Sequence, residues 1–285
     1  MLTDAISAFV RALSFIALFQ AAGIAIFIAI FGRQLEFSSL LIRRVGFASA
    51  VGGLLLVSIH YGLEAARMAG AMTGVFDLSL QGIVFDSSMS TAWGLRIAGL
   101  ALIAATIRRS GAMWAQLSVA GAALTIAGFL FVGHTASHAD RGWLAALLSL
   151  HLAVVAFWFG ALYPLIAVSQ RERSVVAAQI VEDFSRIAGW WVPGILVAGV
   201  LLTVMLVDRW AVFGESYGEL LLAKGGAFAV LMVLAALNKW RYGPALATVP
   251  QVATAFRRAV AVEYLLICGV LSATAVMTTF FSPEH

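Results

Sequence analysis

The chain has 285 residues, of which 62% are hydrophobic and 11% are charged, and its formal net charge at pH 7 is +4. A mean hydropathy of +0.98 excludes an ordinary soluble domain, so the composition indicates an integral membrane protein. The basic residues fall in short loops between apolar runs, where such residues orient helices in the bilayer. We therefore expect the positive charge to act at the lipid bilayer, and we expect no nucleic-acid partner.

Apolar stretches long enough to cross a bilayer recur along the whole chain. A spanning helix needs about 20 apolar residues to cross about 30 Å of hydrocarbon. Eight stretches qualify, and they cover residues 5–31, 45–66, 91–107, 114–134, 143–168, 189–207, 218–237 and 260–281. The first is too long for a signal-peptide core and begins beside Asp4, which predicts a retained helix. The sequence thus predicts one all-α membrane domain over residues 1–285, a bundle of eight transmembrane helices.

The loop charges predict how this bundle is oriented. Twelve Lys and Arg residues fall on one side of the predicted topology, and four fall on the other, namely Arg11, Arg67, Arg141 and Arg209. Because loops rich in Lys and Arg stay on the cytoplasmic side, both termini are predicted to lie outside.

Four of the five histidines fall at similar depths in this topology. With a rise of about 1.5 Å per helical residue, His60 is predicted about 8 Å below the outer boundary of the hydrocarbon core and His151 about 12 Å below it. His138 falls at the outer surface, with His134 about one turn beneath it. The sequence therefore predicts that four histidines from three helices converge on one outer cavity as metal ligands.

Three of these histidines, His134, His138 and His151, also have a purely structural interpretation. His134 and His138 are four residues apart, a spacing that can clamp a metal but also suits two side chains that cap a helix end and reach water. His151 lies two turns inside the membrane, where an ionisable ring is costly and usually functional. A neutral imidazole bonded to a neighbouring carbonyl is the alternative for His151.

The second helix carries a regular series of candidate ligands. In "HYGLEAARMAGAM", His60, Glu64, Met68 and Met72 follow each other at steps of four, so they share one face if the helix continues through all of them. Thioether sulfur selects Cu(I) over zinc, calcium or magnesium, which makes this series a candidate copper ladder. The alternative is that the methionines are apolar filler and that Glu64 pairs with Arg67 or Arg96.

Long segments of the chain resemble a known family. The C-terminal third carries "YGELLLAKGGAFAVLMVLAALNKWRYGPAL" and "FRRAVAVEYLLICGVLSATAVMTTFFSP", and the region before it carries "HLAVVAFWFGALYPL" and "EDFSRIAGWWVP". With "HYGLEAARMAG" in the second helix, these segments resemble the CopD/PcoD family of copper-resistance and copper-uptake membrane proteins. The resemblance is strongest over residues 143–283.

The resemblance implies a bacterial inner-membrane protein with eight helices, so the termini that the loop charges place outside would be periplasmic. It implies that the protein moves copper into the cytoplasm beside a separate periplasmic copper-binding protein of the CopC type. His60, His134, His138 and His151 match the family's metal candidates by position.

The energy source is constrained by what the sequence lacks. No phosphate-binding loop of the G-x-x-x-x-G-K-[ST] type occurs, so ATP is not expected to drive transport, and we expect no enzymatic activity and no catalytic residue. A cation that enters a negative cytoplasm gains about 2.3 kcal/mol per charge for each 100 mV. Cu(I) is expected in the buried part because one charge is cheaper to desolvate than two, while Cu(II) suits the outer surface.

Two other functions fit the same residues. A b-type haem protein would use two of the histidines as axial ligands of iron, although no histidine is predicted in the inner half of the bundle, where a second redox centre would be needed. A copper-holding or assembly factor would bind the metal without moving it.

Further features of the chain have less defined roles. Residues 67–90 form the longest predicted outer loop, and we expect this loop to cover the mouth of the cavity or to receive a periplasmic copper donor. Lys224 and Glu263 are predicted at opposite depths of the bundle, which argues against a pair between them and favours a structural or gating role for each.

Overall fold

The structure is a computed structural model that describes residues 2–133, 140–206, 216–249 and 251–281. All regular elements in this part of the chain are helical. The first half contains α1 (Leu2–Phe31), α2 (Ser39–Ala69), a 3₁₀ turn (Met72–Phe76), α3 (Leu78–Phe85), α4 (Ser88–Thr106) and α5 (Ala112–Ala127). The second half contains α6 (Arg141–Arg171), α7 (Ser174–Leu206), α8 (Ser216–Leu237), a π-helical turn (Asn238–Tyr242), α9 (Gly243–Ala245) and α10 (Val252–Phe280).

Each of the eight predicted membrane stretches overlaps one of these helices. Among the described residues, seven helices are long and apolar enough to cross a membrane, and they correspond to α1, α2, α4, α6, α7, α8 and α10. The remaining stretch, residues 114–134, contains α5, which has only 16 residues and is therefore about 24 Å long. The chain is a multi-pass all-α membrane protein, but a count of eight spans and the outward position of the termini stay predictions.

Helix α1 lies at the centre of the bundle, where it packs against α2, α5, α6 and α10. Glycines allow its closest approach to a neighbour, because a Cβ atom on Gly160 of α6 would lie 2.3 Å from Gly23 Cα of α1. Gln20 Nε2 donates a hydrogen bond to Gly160 O at the same crossing. Small residues at a helix crossing and a polar bond between the helices are typical of membrane proteins.

The outer loop between α2 and α4 folds back on the bundle. Gly70 ends α2 in a left-handed conformation with φ of 69°, and the buried Gly74 packs against the last turns of α2. The Asp77 carboxylate accepts backbone N–H groups at the start of α3, and Val84 of α3 is buried. Gly74 and Val84 are therefore the buried positions of residues 67–90 after the end of α2, and α3 contacts both α2 and α4.

Several large apolar side chains of this loop remain exposed, and they include Phe76, Leu78, Ile83 and Phe85. These side chains belong to the 3₁₀ turn and α3, and we refer to them as the outer apolar surface, after the predicted orientation. A surface of this kind is suited to the headgroup region of a bilayer or to a partner protein.

Candidate metal site

The candidate metal site is built around His60, a buried residue about two and a half turns before the end of α2. Only 7% of His60 is exposed, and its Nε2 atom has no hydrogen-bond partner among the described residues. The nearest acidic atom is Glu64 Oε1, 3.7 Å from His60 Nε2 and one helical turn further along. Buried polar atoms are nearly always paired, so a buried ring nitrogen without a partner is available to a ligand.

An ion-pair chain connects Glu64 to the start of α1. Arg67 Nη1 lies 3.0 Å from Glu64 Oε2, and Arg67 Nε lies 3.5 Å from Asp4 Oδ1. Of the two partners considered for Glu64 from the sequence, the structure therefore selects Arg67. The other carboxylate oxygen of Glu64, Oε1, faces His60. Glu64 can therefore balance positive charge at Arg67 and at a cation bound to His60.

Three arginines lie near the His60 layer, by which we mean His60, Glu64 and the ion-pair chain through Arg67 to Asp4. Two of them, Arg67 and Arg96, were considered from the sequence as partners of Glu64, whereas Arg11 was not. The positive charges of Arg11, Arg67 and Arg96 all act on His60. They come from α1, α2 and α4, and Arg11 and Arg96 lie within the predicted apolar stretches 5–31 and 91–107. An ionisable residue within such a stretch is the signal that would have identified Arg11.

Other contacts occupy these arginines. Arg11 Nη1 donates to Thr278 O, and Arg67 Nη2 donates to Thr279 O, so both satisfy carbonyl groups at the C-terminal end of α10. The Arg96 guanidinium lies 4.1 Å from the centre of the Phe129 ring, at cation–π distance. The layer therefore holds three arginines and the acids Glu64 and Asp4, so any added cation relies on these acids for charge balance.

His151 lies in a different environment, on α6 against α7. Its Nδ1 atom is 3.3 Å from Ile195 O, and its ring lies over Gly199, since a Cβ atom there would be 3.7 Å from His151 Cε1. The positive charge of Lys224 on α8 also acts on it. A bond from Nδ1–H to a carbonyl is the structural alternative considered for His151, yet metal-bound histidines have the same arrangement, which leaves Nε2 free for the metal.

The methionines of the ladder lie at its outer end. Met68 is on the last turn of α2 and is 52% exposed, whereas Met72 is 41% exposed and belongs to the 3₁₀ turn. The alignment of Met72 with the other three residues requires a continuous helix, but α2 ends at Ala69 because Gly70 turns the chain. His60, Glu64 and Met68 therefore share the helix, and Met72 does not.

The convergence of the four histidines stays a prediction. His134 and His138 lie outside the described residues. Among the residues that the structure describes, no group of three or more His, Cys, Asp and Glu side chains is close enough to hold a metal ion. The neighbours of His60 come from α1, α2 and α4, whereas those of His151 come from α7 and α8.

Comparison with known proteins decides the family. Residues 1–146 match the family model "Copper resistance protein D-like, N-terminal domain", and residues 178–277 match the model "Copper resistance protein D". The chain belongs to the copper resistance protein D family. A curated relative, copper resistance protein D of Pseudomonas syringae pv. tomato, is 29% identical over 214 residues, which cover 70% of this chain and 68% of the relative.

No solved structure matches the chain. Family membership confirms the resemblance to the CopD/PcoD family and associates the chain with copper resistance. It does not favour the haem alternative. The ligands, the oxidation state of the copper and the direction of movement stay predictions.

Proposed function

We propose that the protein imports copper from the periplasm to the cytoplasm across the bacterial inner membrane. The observation that carries this proposal is the buried Nε2 atom of His60, which has no hydrogen-bond partner among the described residues and lies 3.7 Å from Glu64. In this proposal, His60 and His151 are the deep ligands of the path, His134 and His138 complete its outer part, and the protein catalyses no reaction.

The surrounding charges favour Cu(I) as the transported ion. The arginines near His60 oppose an added cation, and this repulsion is weaker for one positive charge than for two. Glu64 supplies the opposite charge beside His60, while Met68 and Met72 offer exposed soft sulfur at the outer end. Copper would therefore pass from thioether ligands at the surface to imidazole ligands below it, with Cu(II) confined to the surface.

The membrane potential supplies the driving force in this proposal. A monovalent cation that moves into a negative cytoplasm gains about 2.3 kcal/mol for each 100 mV, so downhill import needs no nucleotide. The copper donor would be a separate periplasmic protein of the CopC type. The exposed outer apolar surface, which includes Phe76, Leu78 and Phe85, is the part of the chain that we assign to its docking.

Copper uptake by the purified protein in sealed vesicles tests the proposal. With an interior-negative potential, we expect Cu(I) to enter protein-containing vesicles faster than empty vesicles, and we expect the rate to fall when the potential is collapsed. Copper that binds with no entry would contradict transport and support the copper-holding alternative. An intense Soret band in the purified protein would support the haem alternative instead.

A further inference from the structure

A second buried polar cluster lies in the other half of the bundle, far along α10 from the residues that Arg11 and Arg67 contact. Its centre is Glu263, which is only 2% exposed. Asn238 Nδ2 donates a hydrogen bond to Glu263 Oε1, and the indole ring of Trp158 on α6 lies near the same carboxyl group. Three elements, α6, α10 and the π-helical turn, thus meet at one carboxyl group.

The partners of Glu263 are all uncharged. No ion pair among the described residues includes Glu263, and no charged side chain of this part of the chain acts on its carboxyl group. The nearby cationic residues Lys239, Arg241 and Arg258 are exposed. Burial of an ionised carboxylate without an opposite charge is very unfavourable, so this packing suits the neutral acid, with a proton on the carboxyl group.

The other elements that pack on α10 bring no countercharge either. Helix α1 and helix α8 both contact α10, but the α1 arginine contacts the far end of α10, and Lys224 of α8 acts on His151. On α10 itself, Arg257 donates to Thr254 Oγ1 at the exposed start of the helix, and the titratable groups that follow Glu263 are Tyr264 and Cys268, neither of which can supply a positive charge. Glu263 is therefore an isolated protonatable group inside the membrane domain.

The amide of Asn238 gives independent evidence that this cluster has a function. Asn238 is buried, and its Oδ1 atom has no hydrogen-bond partner among the described residues. It begins the π-helical turn Asn238–Tyr242, a geometry that is rare and frequent at functional sites. A buried acceptor without a partner, beside a carboxyl group, is where a proton or a water molecule can be received.

The same π-helical turn leads directly to an open cavity. This cavity has a volume of about 870 Å³, and Lys239, Trp240 and Gly243 line one side of it, while Glu182 and Arg186 of α7 line the other. Lys239 directly follows the buried Asn238 in the chain, and the wall of this cavity carries charges of both signs. This cavity is the source of water that we assign to the Glu263 cluster.

We propose that Glu263 is a proton-binding site that exchanges its proton with the Lys239 cavity as copper passes. This inference rests on the proposed function. On release, the carboxyl O–H bond breaks, the proton goes to water in the cavity, and the remaining carboxylate balances the charge of the copper cation. When copper has left, a proton from the cavity binds the carboxylate again, and the neutral cluster is restored.

The proton itself can be detected without any copper. We expect the infrared spectrum of the full chain in lipid nanodiscs to contain a carboxylic acid C=O band that shifts in D₂O. The Glu263→Gln variant should lose this band, and Asn238→Ala should keep the band but change its frequency. The control is Glu219→Gln, which removes an exposed carboxyl group at the far end of α8 and should leave the band unchanged. An identical band in wild type and Glu263→Gln would overturn the proposal.

The coupling to copper is tested by the pH on the cavity side of sealed vesicles. Proton release into the cavity becomes easier as that pH rises, so wild-type copper uptake should become several-fold faster from acid to neutral pH. Glu263→Gln cannot release a proton, and it should take up copper at the acid-limit rate at every pH. A pH profile unchanged by Glu263→Gln would overturn the coupling. If the wild type takes up no copper at all, the proposed function fails, while the infrared band still decides the proton site.

Discussion

The two buried polar clusters of this protein are organised in opposite ways. The His60 layer contains the arginines Arg11, Arg67 and Arg96, the acids Glu64 and Asp4, and a helix end. The Glu263 cluster contains one carboxyl group, the Asn238 amide that donates to it, and the neutral indole ring of Trp158. The first has many charges that compensate each other, and the second has a single group whose charge nothing among the described residues compensates.

This difference indicates which ion each cluster can accept. A cation can enter the His60 layer because an unpaired imidazole nitrogen and the Glu64 carboxylate are already present there. At Glu263 a cation can be accepted only when the carboxyl group has lost its proton, because the neutral acid carries no charge. The His60 layer is thus suited to metal binding, and the Glu263 cluster is suited to proton exchange.

The largest expected effect in the outer half is that of His151→Ala. Helix α6 offers no other side chain near His151 that ligates metal strongly, and a buried metal has little water to replace a lost imidazole. Loss of residues that only orient a metal ligand costs about 10- to 100-fold in affinity, so loss of a ligand should cost more than about 100-fold and abolish uptake.

The control for His151→Ala is Ser149→Ala, which changes a partly buried side chain bonded to its own helix at Ala145 O. Equilibrium copper binding and vesicle uptake are the measurements. Normal copper affinity in a folded His151→Ala protein would show that His151 is a packing residue bonded to Ile195 O. The infrared band assigned to Glu263 should remain in this variant, which separates the two clusters.

A smaller effect is expected from Gly199→Val, which leaves every proposed ligand in place. Added side-chain atoms at this position meet the His151 ring, because the Cβ atom alone would lie 3.7 Å from Cε1. A displaced ring should weaken copper affinity by about 10-fold, the lower end of the effect of groups that orient a ligand. Gly194→Val is the matched control, since a Cβ atom at Gly194 meets no atom within 4 Å. Equal copper affinities for the two variants would mean that the position of this ring is unimportant.

The sequence predicted the features that depend on local periodicity. Hydropathy alone located the long helices, and the spacing of four placed Glu64 beside His60. The end of α2 before Met72 was also predictable, because glycine, here Gly70, is common just after the last residue of a helix. A helix that ends at Gly70 does not place Met72 on the face that carries His60, Glu64 and Met68.

Contacts between residues far apart in the chain could not be predicted from the sequence. Asn238 and Glu263 are 25 residues apart, and His151 and Ile195 are 44 apart, so neither contact follows from helical spacing. The π-helical turn that directs Asn238 has no propensity signal of the kind that marks a helix cap. Such contacts depend on how the helices pack, which a single sequence does not specify.

The most direct test of the metal site compares His60→Ala with Tyr61→Phe in the same uptake and binding assays. Both side chains lie on adjacent positions of α2, and both have a buried polar atom without a hydrogen-bond partner among the described residues. The account predicts that His60→Ala loses tight Cu(I) binding and potential-driven uptake, while Tyr61→Phe retains both. Wild-type binding and uptake in a folded His60→Ala protein would contradict it.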